Sequence, residues 1–196
     1  DLSRATVFMG VPTFYTRLLV LPGLNAQACA GMRLFISGSA PMLLDTFTQW
    51  QQCTGHTVLE RYGMSETLML TSNPYAADDR YGGQSLRVGG SVGFPLPGVT
   101  VRIANAQHQE VALGEVGSIQ VKGANVFAGY WRMPEKTAQE FTSDGYFITG
   151  DMGSRDAQGY VRIVGRSKDL IISGGLNVYP VEIENALNNL PGVLES

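Results

Sequence analysis

At 196 residues the chain can bury a sizeable core, and 44% hydrophobic with 16% charged residues is the balance of an ordinary globular protein. A net charge of -3 offers no electrostatic case for nucleic acid or an anionic membrane surface as partner. Its two cysteines, Cys29 and Cys53, show neither metal-binding spacing nor disulfide density, so reduced thiols in a cytoplasmic compartment are expected, and no run is apolar enough to span a membrane.

In chain order, "RATVFMGVPTFYTRLLVLPG" gives a short apolar strand and then helical spacing at Phe14, Leu18 and Leu21, closed by Pro22-Gly23. Arg33–Ile36 reads as a strand and Ser37–Pro41 as a turn. Met42–Gln52 follows as a helix stopped by Gly55, with Leu43, Leu44, Phe47 and Trp50 on one side. Val58–Arg61 is a second strand, so the region predicts a parallel crossover unit whose ligands sit outside the carboxyl ends of the strands. From Gly89 onward, "SVGFPLPGVTVRIAN", "EVGSIQVKG" and "YVRIVG" alternate apolar and polar residues between turns, which predicts antiparallel strands. "PEKTAQEFT" interrupts them as a helix burying Thr137, Ala138 and Phe141, and Trp131 reads as a packing residue. The last helix, "YPVEIENALNNL", carries Ile183, Ala186, Leu187 and Leu190 at helical spacing. The 24 glycines exceed the average usage of about 7%, and many fall at turns where backbone could approach a ligand.

"RYGMSETLML" places an aromatic ring, a hydroxyl and a carboxylate at a strand end. There Tyr62 can present its face to a flat heterocycle, with the turn around Ser39, Ala40 and Pro41 covering the other side. Ser65 can donate to a phosphate oxygen, and Glu66 suits magnesium, which prefers carboxylates, waters and phosphates. The plainer account is a buried tyrosine followed by a helix-capping Ser and Glu. Downstream, "DGYFITGDMG" puts Asp151 where a loop carboxylate could accept hydrogen bonds from ribose hydroxyls, or serve as a turn aspartate. Arg166 in "GRSKDLIISGG" has a fork suited to a ribose or phosphate oxygen, or simply solvates a turn. Gly174-Gly175 offers backbone for a narrow tunnel or an ordinary hairpin.

The ordered set "FMGVPTFYTRLL", "SGSAP", "RYGMSE", "GEVGSIQVKGANVFAGYW", "YFITGD" and "GRSKDLIISGGLNVYPVEIE" resembles the adenylate-forming, AMP-binding superfamily over essentially the whole chain. That superfamily comprises acyl- and aryl-CoA synthetases, luciferases and peptide-synthetase adenylation domains. "GVPTFYTRLL" and "RLFISGSAPM" look most like malonyl-CoA synthetases and their short- or medium-chain relatives. The resemblance implies an ATP-dependent acid–thiol ligase that forms an acyl-adenylate and then an acyl-CoA thioester, with ATP, Mg2+ and CoA as cofactors.

By the same resemblance Arg61, Tyr62, Gly63 and Met64, with Ser39, Ala40 and Pro41, surround the nucleotide, and Tyr62 stacks on the adenine. Ser65, where most relatives carry threonine, contacts the α-phosphate, and Glu66 holds magnesium. Asp151 binds the ribose hydroxyls and Arg166 the ribose or phosphate edge, while Ser173, Gly174 and Gly175 line the CoA tunnel. Lys168 stands at the hinge, and Arg17 is a candidate for the second carboxylate of a dicarboxylic acid, against a solvent-facing arginine on a helix. Leu68, Met69 and Leu70 are expected to run back to the core.

The implied fold is α/β with an antiparallel β-subdomain. Residues 1–165 form the C-terminal part of the large domain, parallel α/β to about 85 and β-rich from about 86. Residues 166–170 are the hinge and 171–196 begin the small α+β domain. The Ser/Thr/Gly-rich phosphate loop and the catalytic lysine are missing, so the chain is expected to be a fragment, inactive alone. Alternatives are a short- or medium-chain acyl- or aryl-CoA synthetase, an adenylation domain loading a carrier protein, and an AMP-binding module without catalysis.

Overall fold

Short apolar runs between glycine and proline turns become strands in a computed structural model that describes residues 4–76, 87–173, 176–188, 190 and 192–193. The chain divides into two compact units, Asp1–Pro97 with Gln158–Val161, and Gly98–Ala157 with Arg162–Ser196.

In the first unit, β1 (Val7–Gly10), β2 (Leu34–Ser37) and β3 (Val58–Met64) run parallel. They continue into antiparallel β4 (Leu68–Ser72) and β5 (Phe94–Pro95), giving one sheet in the order β1-β2-β3-β4-β5. Helix α1 (Pro12–Leu19) follows β1, and α2 (Leu44–Thr54) connects β2 to β3 as the expected crossover. α2 begins later than its spacing predicts: Leu43 is still extended, at φ −62° and ψ 138°, and the Met42 N–H donates to the Glu60 carboxylate at 3.2 Å. It ends at Gly55, whose φ of 75° makes the left-handed cap. Residues 158–161 rejoin this unit, where Val161 bridges to Gly93 and Tyr160 packs on Phe94.

Aromatic packing organises the core of that unit. Tyr15, Phe35 and Trp50 are fully buried, with Tyr15 and Phe35 meeting Trp50 edge-on at 4.8 and 5.0 Å. The Tyr15 hydroxyl donates to the Ile36 carbonyl at 2.6 Å, and burial pushes its pKa up. The buried side of α1 is therefore centred on Tyr15. Phe14 and Leu21, two of the residues at helical spacing, are half exposed at 50% and 51%.

In the second unit, β6 (Val99–Ala104), β7 (Gly117–Gly123), β8 (Phe147–Arg155) and β9 (Val161–Arg166) make a sheet in that order. Both the β6–β7 and β7–β8 pairs are antiparallel, as the alternation predicts. Ile119, Val121 and Phe147 are buried within it. α3 (Pro134–Gln139) buries no residue: Thr137 is half-buried, Ala138 is exposed, and Phe141 lies past the helix end, against Phe127 and Phe147. Trp131 is 84% exposed rather than packed. Beyond β9, the hairpin of β10 (Ile171–Ser173) and β11 (Leu176–Val178) leads to α4 (Pro180–Asn188). The apolar stripe on α4 is open, with Ile183 and Leu187 each 42% exposed. Among the described residues no helix is long and apolar enough to cross a membrane.

Candidate functional site

The first group of candidate residues lies at the carboxyl ends of β2 and β3, as the crossover predicts. Past β2, Ser39 takes a left-handed φ of 70°, and Ser39, Ala40 and Pro41 are all exposed. The loop is tied to its neighbour by the Met42 N–H to Glu60 hydrogen bond, and Glu60 is buried on β3 two residues before Tyr62. Glu60 was not singled out by sequence. A carboxylate inside the apolar run of a strand was the signal that could have found it.

β3 does not stop at Arg61. It continues to Met64 and turns through Ser65, Glu66 and Thr67 into β4, so the Ser-Glu pair sits on a hairpin tip and caps no helix. Two features shape that tip. The register shifts between Tyr62 and Gly63, and a Cβ added at Gly63 would meet the Leu68 carbonyl oxygen at 2.1 Å, so the strands approach more closely than a side chain allows. The Thr67 N–H donates to the Met64 carbonyl at 3.1 Å, closing the turn with Thr67 fully buried. Ser65 is left exposed and Glu66 half-buried, while Tyr62 is buried behind them. Arg61 turns its guanidinium toward the Met9 sulphur at 3.2 Å. The stretch after the tip only partly returns to the core: Leu70 is fully buried, but Leu68 and Met69 are 68% and 39% exposed. Leu68 is the first residue of β4 and has a left-handed φ of 55°, and so falls outside the alternation of the strand.

The second group lies on β8 and β9. Asp151 is within β8 rather than in a loop. Ser118 pairs with Met152 and Gln120 with Ile148, so Ile119 alone faces Thr149, Gly150 and Asp151, a bulge on β8. Gly150 supplies the positive φ of 77° that the bulge requires. The Asp151 carboxylate meets Arg166 Nε at 2.9 Å, its side chain 7% exposed and that of Arg166 52% exposed. One guanidinium edge is thus committed to Asp151, in the charge-assisted geometry of a strong hydrogen bond. Thr149, also missed by sequence, donates its hydroxyl to the Ile119 carbonyl at 2.9 Å and accepts the Asp151 N–H at 3.1 Å. A glycine inside a strand pattern was the available sign of a bulge.

The remaining candidates are more open. Lys168 is exposed on a single helical turn, Ser167–Asp169, after Arg166. Ser173 is exposed at the end of β10, and Gly174 and Gly175 lie outside the described residues. Arg17 is exposed on the last turn of α1. Among the described residues no group of three or more His, Cys, Asp and Glu side chains could hold a metal ion. A single carboxylate beside a hydroxyl, as at Glu66 and Ser65, nevertheless suits Mg2+ delivered by phosphates, since that ion keeps waters and takes one or two carboxylates.

Known proteins resemble this chain in sequence and fold. The malonate–CoA ligase of Arabidopsis thaliana is 41% identical over 97% of the chain, which covers 31% of that relative. The crystal structure of ATP-bound MatB from Rhodopseudomonas palustris is 58% identical with a TM-score of 0.92, covering 99% of this chain and 37% of that one. A malonyl-CoA ligase solved as a ternary product complex with methylmalonyl-CoA and AMP is 45% identical with a TM-score of 0.72, covering 97% of this chain and 40% of that one. The chain therefore spans well under half the length of these relatives, at 31% to 40%. Residues 2–131 match the model of the AMP-binding enzymes. The chain belongs to the AMP-binding enzyme family.

Proposed function

We propose that the protein carrying this chain is an ATP-dependent acid–thiol ligase of the malonyl-CoA synthetase kind, forming an acyl-adenylate and then a CoA thioester. The observation that carries this reading is the hairpin tip, Ser65-Glu66 with Tyr62 behind it, in a chain 58% identical to a protein solved with ATP.

In this reading Tyr62 offers its ring to the adenine, and Ser39, Ala40 and Pro41 line the other face, with Arg61, Gly63 and Met64 completing the nucleotide wall. Ser65 donates its hydroxyl to an α-phosphate oxygen. Glu66 holds Mg2+, which supplies neutralisation of charge on the transferring phosphates. The Asp151 carboxylate accepts from the ribose hydroxyls, and Arg166, anchored through Nε at 2.9 Å, turns its remaining N–H groups to the ribose or phosphate edge. Ser173, Gly174 and Gly175 line the CoA path, and Lys168 is the pivot of a hinge over 166–170 between the large domain and a small domain beginning at 171. Arg17 is assigned to the second carboxylate of a dicarboxylic substrate, for which a guanidinium fork is suited. The two free cysteines, one of them buried, support a reducing, cytoplasmic location.

An ATP–pyrophosphate exchange screen of the full-length protein against mono- and dicarboxylic acids tests the substrate class. Malonate is expected to support exchange above acetate, medium-chain and aryl acids. Exchange with fatty or aryl acids but not malonate overturns the substrate assignment, and no exchange with any acid favours a binding module.

A further inference from the structure

We propose that Thr149 is a positioning residue for nucleotide binding: its hydroxyl braces the β8 bulge so that the Asp151 carboxylate is aimed at the ribose. The inference rests on the reading of Asp151 as the ribose ligand.

A bulge of this kind breaks the sheet ladder where precision is needed. Ile119 of β7 faces three residues of β8, Thr149, Gly150 and Asp151, so regular pairing cannot satisfy all the backbone groups there. The Thr149 hydroxyl repairs the break from both sides. It donates to the Ile119 carbonyl at 2.9 Å, on the facing strand, and accepts the Asp151 N–H at 3.1 Å, on its own strand. One side-chain oxygen thus links β7 to the backbone of the residue whose carboxylate is the candidate ligand. Thr149 is 6% exposed and Ile119 fully buried, so water does not readily replace the hydroxyl.

Gly150 has no side chain and contributes a φ of 77°, a conformation that bends the strand without holding it. The Arg166 pair fixes the far end of the Asp151 side chain at 2.9 Å. The Thr149 hydroxyl holds the backbone end, accepting the Asp151 N–H at 3.1 Å. With both ends held, the carboxylate is set before the nucleotide arrives, and the ordering cost of binding falls. Without the hydroxyl, the bulge can slide or flatten, and Asp151 would swing with it while the surrounding sheet persists.

The test is the affinity of the full-length protein for AMP against 2′-deoxy-AMP, by titration calorimetry, with melting temperature as a check on folding. The wild type is expected to prefer AMP by about tenfold or more, the worth of a hydrogen bond to a charged group. Thr149→Val keeps the shape and removes the hydroxyl; AMP binding is expected to weaken about tenfold and the preference to fall to within about threefold. Thr149→Ser is expected to restore both to within about twofold. Asp151→Ala should abolish the preference altogether. If Asp151→Ala keeps the wild-type preference, the ribose reading itself is wrong. If Asp151→Ala loses it while a folded Thr149→Val keeps it, the positioning role of Thr149 is wrong and the ribose reading stands. Should Thr149→Val not fold, Thr149→Ala takes its place; failure of both to fold overturns the proposal, because the hydroxyl would then hold the sheet and not the ligand geometry.

Discussion

The hairpin tip of the first unit and the bulge of the second each present a carboxylate, but they hold it by different means. Glu66 stands half-buried on a tight turn beside an exposed serine, and the turn exists because Gly63 lets two backbones come within the space of a side chain. Asp151 is nearly enclosed, ion-paired to Arg166 at 2.9 Å and backed by the Thr149 hydroxyl. The first arrangement leaves Ser65 exposed and Glu66 half-buried at the tip, suited to phosphates and a hydrated ion. The second is ordered by its own neighbours in advance, suited to a neutral diol that must be met by an acceptor already in place.

The largest expected effect comes from removing the Glu66 carboxylate. On the proposed ligase reading, Glu66→Ala in the full-length protein should lower pyrophosphate exchange about 10²–10³-fold, the scale seen when charge-stabilising groups are lost, with little change in melting temperature. Exchange that survives the substitution would remove Glu66 from the chemistry, whereas loss of folding would make it a structural group of the turn.

Next come the two glycines, which separate crowding from dihedral strain. Gly63→Ala places a Cβ 2.1 Å from the Leu68 carbonyl oxygen, so the hairpin itself must move, at a cost of about 3 kcal/mol in denaturant unfolding. Gly150→Ala meets nothing closer than Arg166 Nη1 at 3.8 Å and carries only the cost of a left-handed φ, about 1–2 kcal/mol. Equal costs at the two positions would dissolve the contrast between tip and bulge.

The smallest effect concerns a third carboxylate, about half exposed in the second unit at 53%. Asp144 is bound by the Arg102 guanidinium at 2.7 Å and by the Thr142 hydroxyl. The Arg102 hydrogen bond, and after it that from Thr142, holds its carboxyl well below the ordinary value of 3.8. Because the folded-state pKa is depressed, this contribution is present above the ordinary carboxylate range and is lost as pH falls through the lowered value. Asp144→Asn should therefore be slightly less stable than wild type at neutral pH, and the gap should narrow in strong acid. A gap that is constant with pH would show that the ion pair contributes nothing.

Much of this was legible in the chain, for identifiable reasons. The β2–α2–β3 crossover was visible because apolar runs, a proline and Gly55 punctuate it, and the antiparallel sheet because its strands alternate with a period of two. Tyr62, Ser65, Glu66, Asp151 and Arg166 stood out as polar or aromatic residues next to glycine turns. The hairpin after Met64 was not legible, since "SETLML" has the composition of a helix start and only the close approach at Gly63 forces the chain back. Phe14 could not be told from Tyr15 as the buried residue of α1, because the choice depends on where Trp50 and the Ile36 carbonyl lie.

Sequence by itself thus determined the crossover, the alternating strands, the family and which residue types are capable of chemistry, because these depend on local spacing and on residue type. Tertiary structure alone decided that Asp151 lies in a β-bulge with Arg166 on its carboxylate, that Thr149 braces that bulge, and that Glu60 anchors the loop of Ser39. Each of those is a hydrogen bond or ion pair between groups that a strand pairing or a turn brings together. No local pattern encodes the register that makes them neighbours.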